Sequence, residues 1–594
     1  MSITTPASSP KAGMKSSNTR NAIDPITAPT PMTGAQILCR ALEHEGVEIL
    51  FGYPGGAIMP FYDALSSSSL RHILVRHEQA AAHAADGYAR ATGRVGVCVA
   101  TSGPGATNLV TGLATAFMDS VPLVAITGQV ATRLIGTDAF QETDIIGVTQ
   151  PITKHSIQVR RVEDIATAVH AAFTIARDGR PGPVVLDVPK DVQLATGTTP
   201  APYTPASPKR PTLTGDLAAV VQRAADLIAT AEHPVIIAGH GVIISGAYAE
   251  LRLLAERAEI PTVTTLLGIS AFPESHPLAL GMPGMHGTKA ANRAIHAADV
   301  LIAVGMRFDD RVTGKIAEFA PHAKIIHIDI DPSEMGKVLA PTVMIVADAR
   351  VALRALADAV PVMHRETWLA TVHGWATEAP SAPLAHSDVP TSPEPRAILA
   401  AIRAATNNDA LIISDVGQHQ MWTAQHYGYE RPNSHFTSGG LGTMGFALPA
   451  AMGVVVGCPD RPVWAIAGDG GIQMNIQELA TIVAQGLPIK IAIMNNGYLG
   501  MVRQWQEFFH DRNYSETRMT GPDYPLLAAA YGMTGFRVTT ADEIAPTVAK
   551  AMAIPGPVII DFVIEQMANV FPMVAPGTAN VDMVHQSPSA GGTK

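Results

Sequence analysis

The sequence predicts an α/β protein built from three doubly wound parallel-sheet domains. Three observations carry that expectation. Stretches of β-branched and aliphatic residues alternate with helix-length stretches of helical period along most of the chain, the pattern of parallel sheets covered by helices. Two Pro-, Ser- and Thr-rich stretches, around 195–214 and 373–396, divide it. One stretch reads as a right-handed βαβ unit by itself: VWAIA at 463–467, Gly468-Asp469-Gly470-Gly471, an apolar-periodic run, PIKIAIM at 488–494, then Asn495-Asn496. At 594 residues, 47% hydrophobic and 15% charged, the chain is too long for one core and is mostly packed.

Taken in order, residues 1–31 are rich in Ser, Thr and Pro and cannot bury a core, so a disordered tail is expected, an organelle-import segment being the alternative. The first block is expected over 32–194, with an amphipathic helix at 33–44, strands at 48–51, 72–76, 95–100 and 121–127, and glycine-containing loops at 52–56 and 102–105. A linker follows at 195–214. The second block, 215–350, opens on an alanine-rich helix and continues through strands at 234–241, 261–266, 298–305 and 323–331. A helix and a Pro/Ser-rich linker fill 351–394. The third block, 395–572, has a strand at 410–417, a glycine-rich loop at 439–445 and the βαβ unit above. Residues 573–594 form a tail able to close over a site.

Composition excludes several classes. A net charge of −10 and an isoelectric point near 6.1 leave no basic footprint for nucleic acid. The apolar stretches are broken by Gly, Pro or charge, as in buried α/β elements, so no membrane span is expected. Cys39, Cys98 and Cys458 show neither zinc-ligand nor disulfide spacing, which fits a reducing, cytoplasmic setting.

In a βαβ unit both strand ends point the same way, so Asp469 and Asn496 are expected side by side in the crevice where open sheets bind ligands. A carboxylate and an amide oxygen beside a glycine-lined helix N-terminus suit Mg²⁺ and a bulky anion, which Gly468 and Gly470 let approach the backbone. Glu78 follows a strand and opens a helix of small residues. Locally it reads either as a glutamate favouring its helix dipole or as a partly desolvated proton carrier. Gly239 and Gly241 precede a helix, yet the third glycine is Gly246, so the usual dinucleotide fingerprint is absent. Asp329, at a strand end, is a candidate for a ribose hydroxyl. Arg307 and Arg311 read as either phosphate or carboxylate ligands or as a salt-bridged loop.

Gly-Asp-Gly with the downstream Asn-Asn resembles the thiamine diphosphate-binding motif. Arg76-His77-Glu78-Gln79 and Asp86-Gly87-Tyr88-Ala89-Arg90 resemble the pyrimidine-binding domain of the same enzymes, and the run from Arg307 to Lys315 looks like the flavin-binding middle domain of anabolic acetohydroxyacid synthases. With the phrases at 53–57, 136–143, 153–155, 187–191 and 500–505, the resemblance to the large catalytic subunit of that family covers about 32–583.

The resemblance implies thiamine diphosphate, Mg²⁺ and FAD. Metal ligands would be Asp469, Asn496 and the main chain of Tyr498. Thiamine diphosphate would touch Pro54, Glu78, Gln418, His419, Gly442, Met444, Gly468, Gly470 and Met501, with Glu78 on N1′, Met444 wedged between the rings and the Gly442 carbonyl on the 4′-amino group. FAD, with no redox step to perform, would be held by Arg180, Gly239, Gly241, Met285, His286, Gly287, Arg307, Asp309, Asp329 and Asp348. Gly56, Gln141, Lys190 and Arg311 would join Glu78 as catalytic residues. Phe140, Lys154, Arg311, Met501 and Trp505 would meet the substrate. The implied reaction decarboxylates pyruvate and adds the two-carbon unit to a second 2-keto acid, giving 2-acetolactate or 2-aceto-2-hydroxybutyrate. The implied assembly is a homodimer with the site between subunits, or a tetramer, with a regulatory small subunit.

Overall fold

The computed structural model describes residues 31–198, 217–378 and 392–587. Three parallel sheets dominate. The first runs in the order Arg71–Leu74, Ile49–Gly52, Gly96–Ala100, Leu123–Gln129, Pro183–Pro189, His155–Gln158. The third runs His435–Thr437, Leu411–Ser414, Val463–Gly468, Ile489–Asn495, Val558–Val563, Thr534–Val538. In chain order within each domain both read 2-1-3-4-6-5. The middle sheet, Thr262–Thr264, Pro234–Ala238, Val300–Val304, Lys324–Asp329, Val343–Val346, reads 2-1-3-4-5. Every sheet therefore reverses direction of winding between its first and third strands, where the loops after those strands open a crevice.

The expected three-sheet α/β architecture is present, and the central strands are buried on both faces, as runs such as VLIAV at 300–304 require. The strands His155–Gln158, Pro183–Pro189, Val343–Val346, His435–Thr437, Thr534–Val538 and Val558–Val563 were not foreseen. His155–Gln158 carries a single aliphatic residue, Ile157, and Val343–Val346 is apolar but short, with two exposed positions. Thr196–Thr198, inside the expected linker, pairs antiparallel with Pro31–Thr33 and ties the start of the first domain to its end. Otherwise the expected tail at 1–31 lies outside the described residues, as do the parts of both linkers at 199–216 and 379–391.

The first and third domains pack through the helices Glu78–Thr92 and Ala447–Gly457. Small residues make this possible: a Cβ at Gly87 would collide with the backbone of Ala450, and one at Gly453 with the backbone of Ala84. Ala80, Ala81, Ala84 and Ala85 on one side and Ala450, Ala451 and Val454 on the other complete a shared core. Among the described residues no helix is long and apolar enough to cross a membrane.

Candidate active site

The third domain's crevice is a narrow cleft of about 60 Å³ between the loops after Leu411–Ser414 and Val463–Gly468. Gln418, His419, Gly468, Asp469, Gly470, Asn496, Tyr498 and Met501 all line it, with Met444. Asp469 and Asn496 meet as the βαβ geometry demands: the Asp469 carboxylate takes the backbone N–H groups of Asn496 and Gly497. Asp469 is 3% exposed, and burial pushes its carboxyl up to about 6, with Asp561 adding to the rise. A buried carboxylate without a counter-charge calls for a cation. Asn496 is held at both ends of its amide. Its Oδ1 accepts from Tyr498 N at 3.1 Å, and its Nδ2 donates to Gln418 Oε1 at 3.1 Å. Gln418 in turn donates to Gln504 Oε1 at 3.0 Å and to the Ala568 carbonyl at 2.8 Å.

His419 is driven down to about 3 by burial and is neutral at physiological pH, and its Nε2 is buried with no hydrogen-bond partner. No three His, Cys, Asp or Glu side chains gather as a metal centre among the described residues. One carboxylate with neutral amide and carbonyl oxygens is instead a donor set for a hard cation that keeps other oxygen ligands, and the glycine floor and unpartnered His419 Nε2 leave room and a donor or acceptor for an anionic group. The residues fit a diphosphate–Mg²⁺ pair.

A larger cleft of about 1310 Å³ lies where the three domains meet. Gly241, Met285, His286, Arg307, Asp309, Asp329 and Asp348 line it from the middle domain, Arg180 from the first, and Gly442, Met444, Met501 and Trp505 from the third. Gly239 and Gly287 stand just behind this wall, donating to the Val304 carbonyl at 2.8 Å and the Gly284 carbonyl at 2.9 Å. Asp309 and Asp348 cap the helices Asp310–Thr313 and Ala349–Ala359, so two of the acids read as cofactor contacts also hold helix starts. Arg180 donates to Ser120 Oγ and Glu334 Oε1, both at 2.8 Å. His286 is pushed down to about 4 by burial and its Nδ1 lies 3.1 Å from the Pro572 carbonyl. The volume and the mixture of backbone glycines, arginines and acids fit a dinucleotide.

Arg311 and Trp505, far apart in sequence, come together at the mouth of this cleft. The guanidinium sits 5.7 Å over the indole ring while its side chain stays 60% exposed. The segment 570–580 holds them in place. It bonds the Trp505 helix, Gly500–Phe509, through Val570 N and Gln504 Oε1 at 2.9 Å. It bonds the Arg311 loop directly through Asn580 Nδ2 and the Val312 carbonyl at 2.7 Å, and indirectly through Val574 N on the carbonyl of Met285 at 2.8 Å, whose own N–H donates to the Arg311 carbonyl at 2.9 Å. The tail expected from 573 on thus contacts elements that line this cleft, while none of its described residues lines the cleft itself.

The first domain gathers its own set at its own crevice. Glu78 opens its helix half-buried, and Asn108 Nδ2 donates to Glu78 Oε2 at 2.9 Å. A Cβ at Gly105 would lie 3.2 Å from Glu78 Oε1, one at Gly103 would meet the Gln141 backbone, and Gly55, between Pro54 and Gly56, abuts Thr101. Pro54, Gly56 and Lys190 are exposed and Phe140 is 88% exposed. None of these lines either cleft of its own chain. Lys154 likewise lines neither cleft of its own chain: its ammonium donates to the carbonyls of Ile175 at 2.5 Å and Asp178 at 2.6 Å, at the end of the helix Ile165–Arg177, where those carbonyls lack helical partners. Asn108 and Gln504, which orient Glu78 and Gln418, were missed by the sequence reading, since nothing local marks partners 30 and 86 positions away.

The loop carrying Phe140 and Gln141 is tied down through Gln129, whose Nε2 donates to the Thr143 carbonyl at 2.9 Å and to Asp187 at 3.2 Å. Asp187 is fully buried and also accepts from Thr127 and Gln158. Burial pushes its carboxyl up to about 6, above the unfolded value of 3.8. The folded protein therefore holds a proton the unfolded chain has lost between those values, and stability falls as pH rises through that window. Asp187→Asn should abolish this slope, with the Thr127 hydroxyl rotating to accept, and should gain on the order of 1–3 kcal/mol over the parent above pH 6 and little at pH 4. Thermal melts of both proteins from pH 4.5 to 8 check this; parallel curves would refute it.

Three family models match this chain: the thiamine pyrophosphate enzyme N-terminal TPP binding domain over 32–148, the central domain over 221–356 and the C-terminal TPP binding domain over 415–562. The acetolactate synthase large subunit of Corynebacterium glutamicum is 49% identical over 569 residues, 94% of this chain and 90% of that protein. A probable acetolactate synthase large subunit of Methanocaldococcus jannaschii is 51% identical over 559 residues, covering 92% and 94%. The acetolactate synthase isozyme 2 large subunit of Escherichia coli K12 is 45% identical over 569 residues, covering 93% of this chain and all of that protein. With such identity sustained across all three domains, the chain belongs to the acetolactate synthase large-subunit family of thiamine pyrophosphate enzymes.

Proposed function

We propose that the protein condenses pyruvate with a second 2-keto acid, releasing CO₂ and giving 2-acetolactate from pyruvate or 2-aceto-2-hydroxybutyrate from 2-ketobutyrate, at the entry to branched-chain amino-acid synthesis. The observation that carries this reading beyond family membership is the Arg311–Trp505 pair at the mouth of the large cleft beside Met444 and Met501. A cation beside an apolar ring suits a 2-keto acid with a short alkyl tail.

In this reading Asp469, Asn496 and the Tyr498 carbonyl hold Mg²⁺ on the diphosphate, and Gln418, His419, Gly468 and Gly470 shape its cradle. Bound thiamine diphosphate supplies a thiazolium carbon that stores the electrons released when pyruvate loses CO₂. Glu78 would hold and return a proton at the aminopyrimidine N1′, the Gly442 carbonyl would accept from the 4′-amino group, and Met444 would pack between the cofactor's rings. Arg311 orients the carboxylate of the second keto acid and Trp505 packs on its alkyl tail. FAD occupies the large cleft in a structural role, against Arg180, Gly241, Arg307, Asp329 and Asp348.

The exposure of Phe140, Pro54, Gly56 and Lys190 supports a second copy closing over the first domain's crevice, so that Glu78 of one subunit and Asp469 of another serve one cofactor. The name "large subunit" borne by the relatives supports a regulatory small subunit. We read the location as cytoplasmic.

The test is product analysis after incubation with pyruvate, thiamine diphosphate, Mg²⁺ and FAD, with and without 2-ketobutyrate. Acetolactate that gives way to acetohydroxybutyrate supports the reading; acetaldehyde, acetyl phosphate or hydrogen peroxide in its place overturns it. Trp505→Leu should cut the preference for 2-ketobutyrate by about tenfold, the scale of one alkyl contact in an apolar pocket. An unaltered product ratio would leave Trp505 a packing residue only.

A further inference from the structure

The loop 439–445 presents Gly442 and Met444 to both clefts. It belongs to the third domain, yet the groups that fix its first half come from the first. The helix Val110–Asp119 ends on Asp119, which is 1% exposed. Asp119 Oδ1 accepts from Gly440 N at 2.7 Å, and Oδ2 accepts from Gly439 N at 3.1 Å and from Arg90 Nη2 at 2.9 Å. One turn earlier on the same helix face, Thr115 Oγ1 lies 2.8 Å from Thr443 Oγ1, both buried. Two side chains four residues apart therefore grip the loop on either side of Gly442, whose φ of +69° is a left-handed conformation that the glycine adopts without strain.

Arg90 keeps Asp119 in place. It pairs with Asp86 at 2.5 Å, donates to the Thr437 carbonyl at 3.1 Å just before the loop, and is itself buried. The far end of the loop is fixed within the third domain. Gly445 N donates to both oxygens of Asp415, at 2.8 and 3.1 Å, and Asn475 Nδ2 donates to the Gly445 carbonyl at 2.8 Å. A Cβ at Gly440 would fall 2.8 Å from Asp119 Oδ1, so the carboxylate and the loop backbone are in direct apposition.

We infer that Thr115 and Asp119, supported by Arg90, are positioning residues for catalysis: the first domain sets where the Gly442 carbonyl and the Met444 side chain stand. Neither side chain touches the reacting atoms. Their effect is on the alignment of two groups whose placement to within a few tenths of an ångström governs proton removal. This rests on the roles given to Gly442 and Met444 in the proposed function.

The discriminating readout is the rate at which the thiazolium C2 proton of bound thiamine diphosphate exchanges for deuterium, followed by quenched-flow NMR on full-length Thr115→Val and Asp119→Asn proteins loaded with Mg²⁺ and FAD. Thr115→Val keeps shape and removes one hydroxyl. Asp119→Asn keeps shape but sets an amide N–H against backbone N–H groups or Arg90, where only acceptors fit. Exchange should slow about threefold in Thr115→Val and tenfold or more in Asp119→Asn, the loss expected from one misaligned contact, while half-saturating thiamine diphosphate stays within about threefold. Wild-type exchange in Thr115→Val overturns the inference for Thr115 whether or not the Asp119 variant folds. Exchange and cofactor affinity falling together in both variants would show a merely structural role and overturn it entirely. A parent protein that exchanges C2 but forms no acetohydroxy acid would sink the functional reading and leave this one standing.

Discussion

Glu78→Gln should still bind thiamine diphosphate within a few-fold of the parent and lose about 10²–10⁴-fold in turnover, the usual contribution of a positioned acid–base group. The substitution is nearly isosteric. The glutamine retains an oxygen to accept from Asn108 Nδ2, so the helix start and its surroundings stay intact. What disappears is the ability to give and regain a proton at N1′. Asn108→Ala should produce a weaker form of the same defect, because the carboxylate then loses one of the contacts that orients it. Steady-state turnover at saturating cofactor, beside a direct binding titration, makes the check. Unchanged turnover in Glu78→Gln removes that residue from the mechanism.

The second large effect is expected at Asp469. Asp469→Ala should raise the Mg²⁺ concentration for half-activation by about a hundredfold or more and carry the thiamine diphosphate requirement up with it, since a hard cation in this cleft has one carboxylate to bind. The parent has a further signature. Its carboxyl is held up near 6 by burial, so below that pH the cation must displace a proton. Mg²⁺ affinity should therefore weaken as pH falls through 6 in the parent, and the alanine variant should lack that dependence. Titrations of Mg²⁺ at pH 5.5 and 7.5 check both expectations, and normal saturation of the variant would rule out the metal assignment.

These two residues also mark what the sequence could and could not convey. Asp469 and Asn496 were legible because a βαβ unit obliges consecutive parallel strands to end side by side, and the fold is as expected there. The glycine turns and the three sheets were legible for the same reason, being set by local pattern, whereas the Arg311 loop was open from its own residues and read only through the family resemblance. Glu78 was ambiguous from its surroundings, because a first-turn glutamate has the same local sequence whether it serves a dipole or a proton. Partners distant in sequence left no local trace: Asn108 on Glu78 and Gln504 on Gln418 within one domain each, and Asp119 on Gly440 between the first and third. Lys154 is a basic residue in a distinctive phrase that the fold turns, within its own chain, onto the carbonyl end of a neighbouring helix.

The shared strand order of the first and third domains extends to the helices that join them. Glu78–Thr92 follows the second strand of one sheet and Ala447–Gly457 the second strand of the other, so each element meets its own counterpart, reciprocally, Gly87 against Ala450 and Gly453 against Ala84. That is an isologous contact within one polypeptide, the relation two identical subunits adopt. Such a chain has the form left when an ancestral homodimer is fused by gene duplication. The two halves differ where it matters: the residue just past the third strand is Asp469 in one and Thr101 in the other, which has no carboxylate to offer a cation.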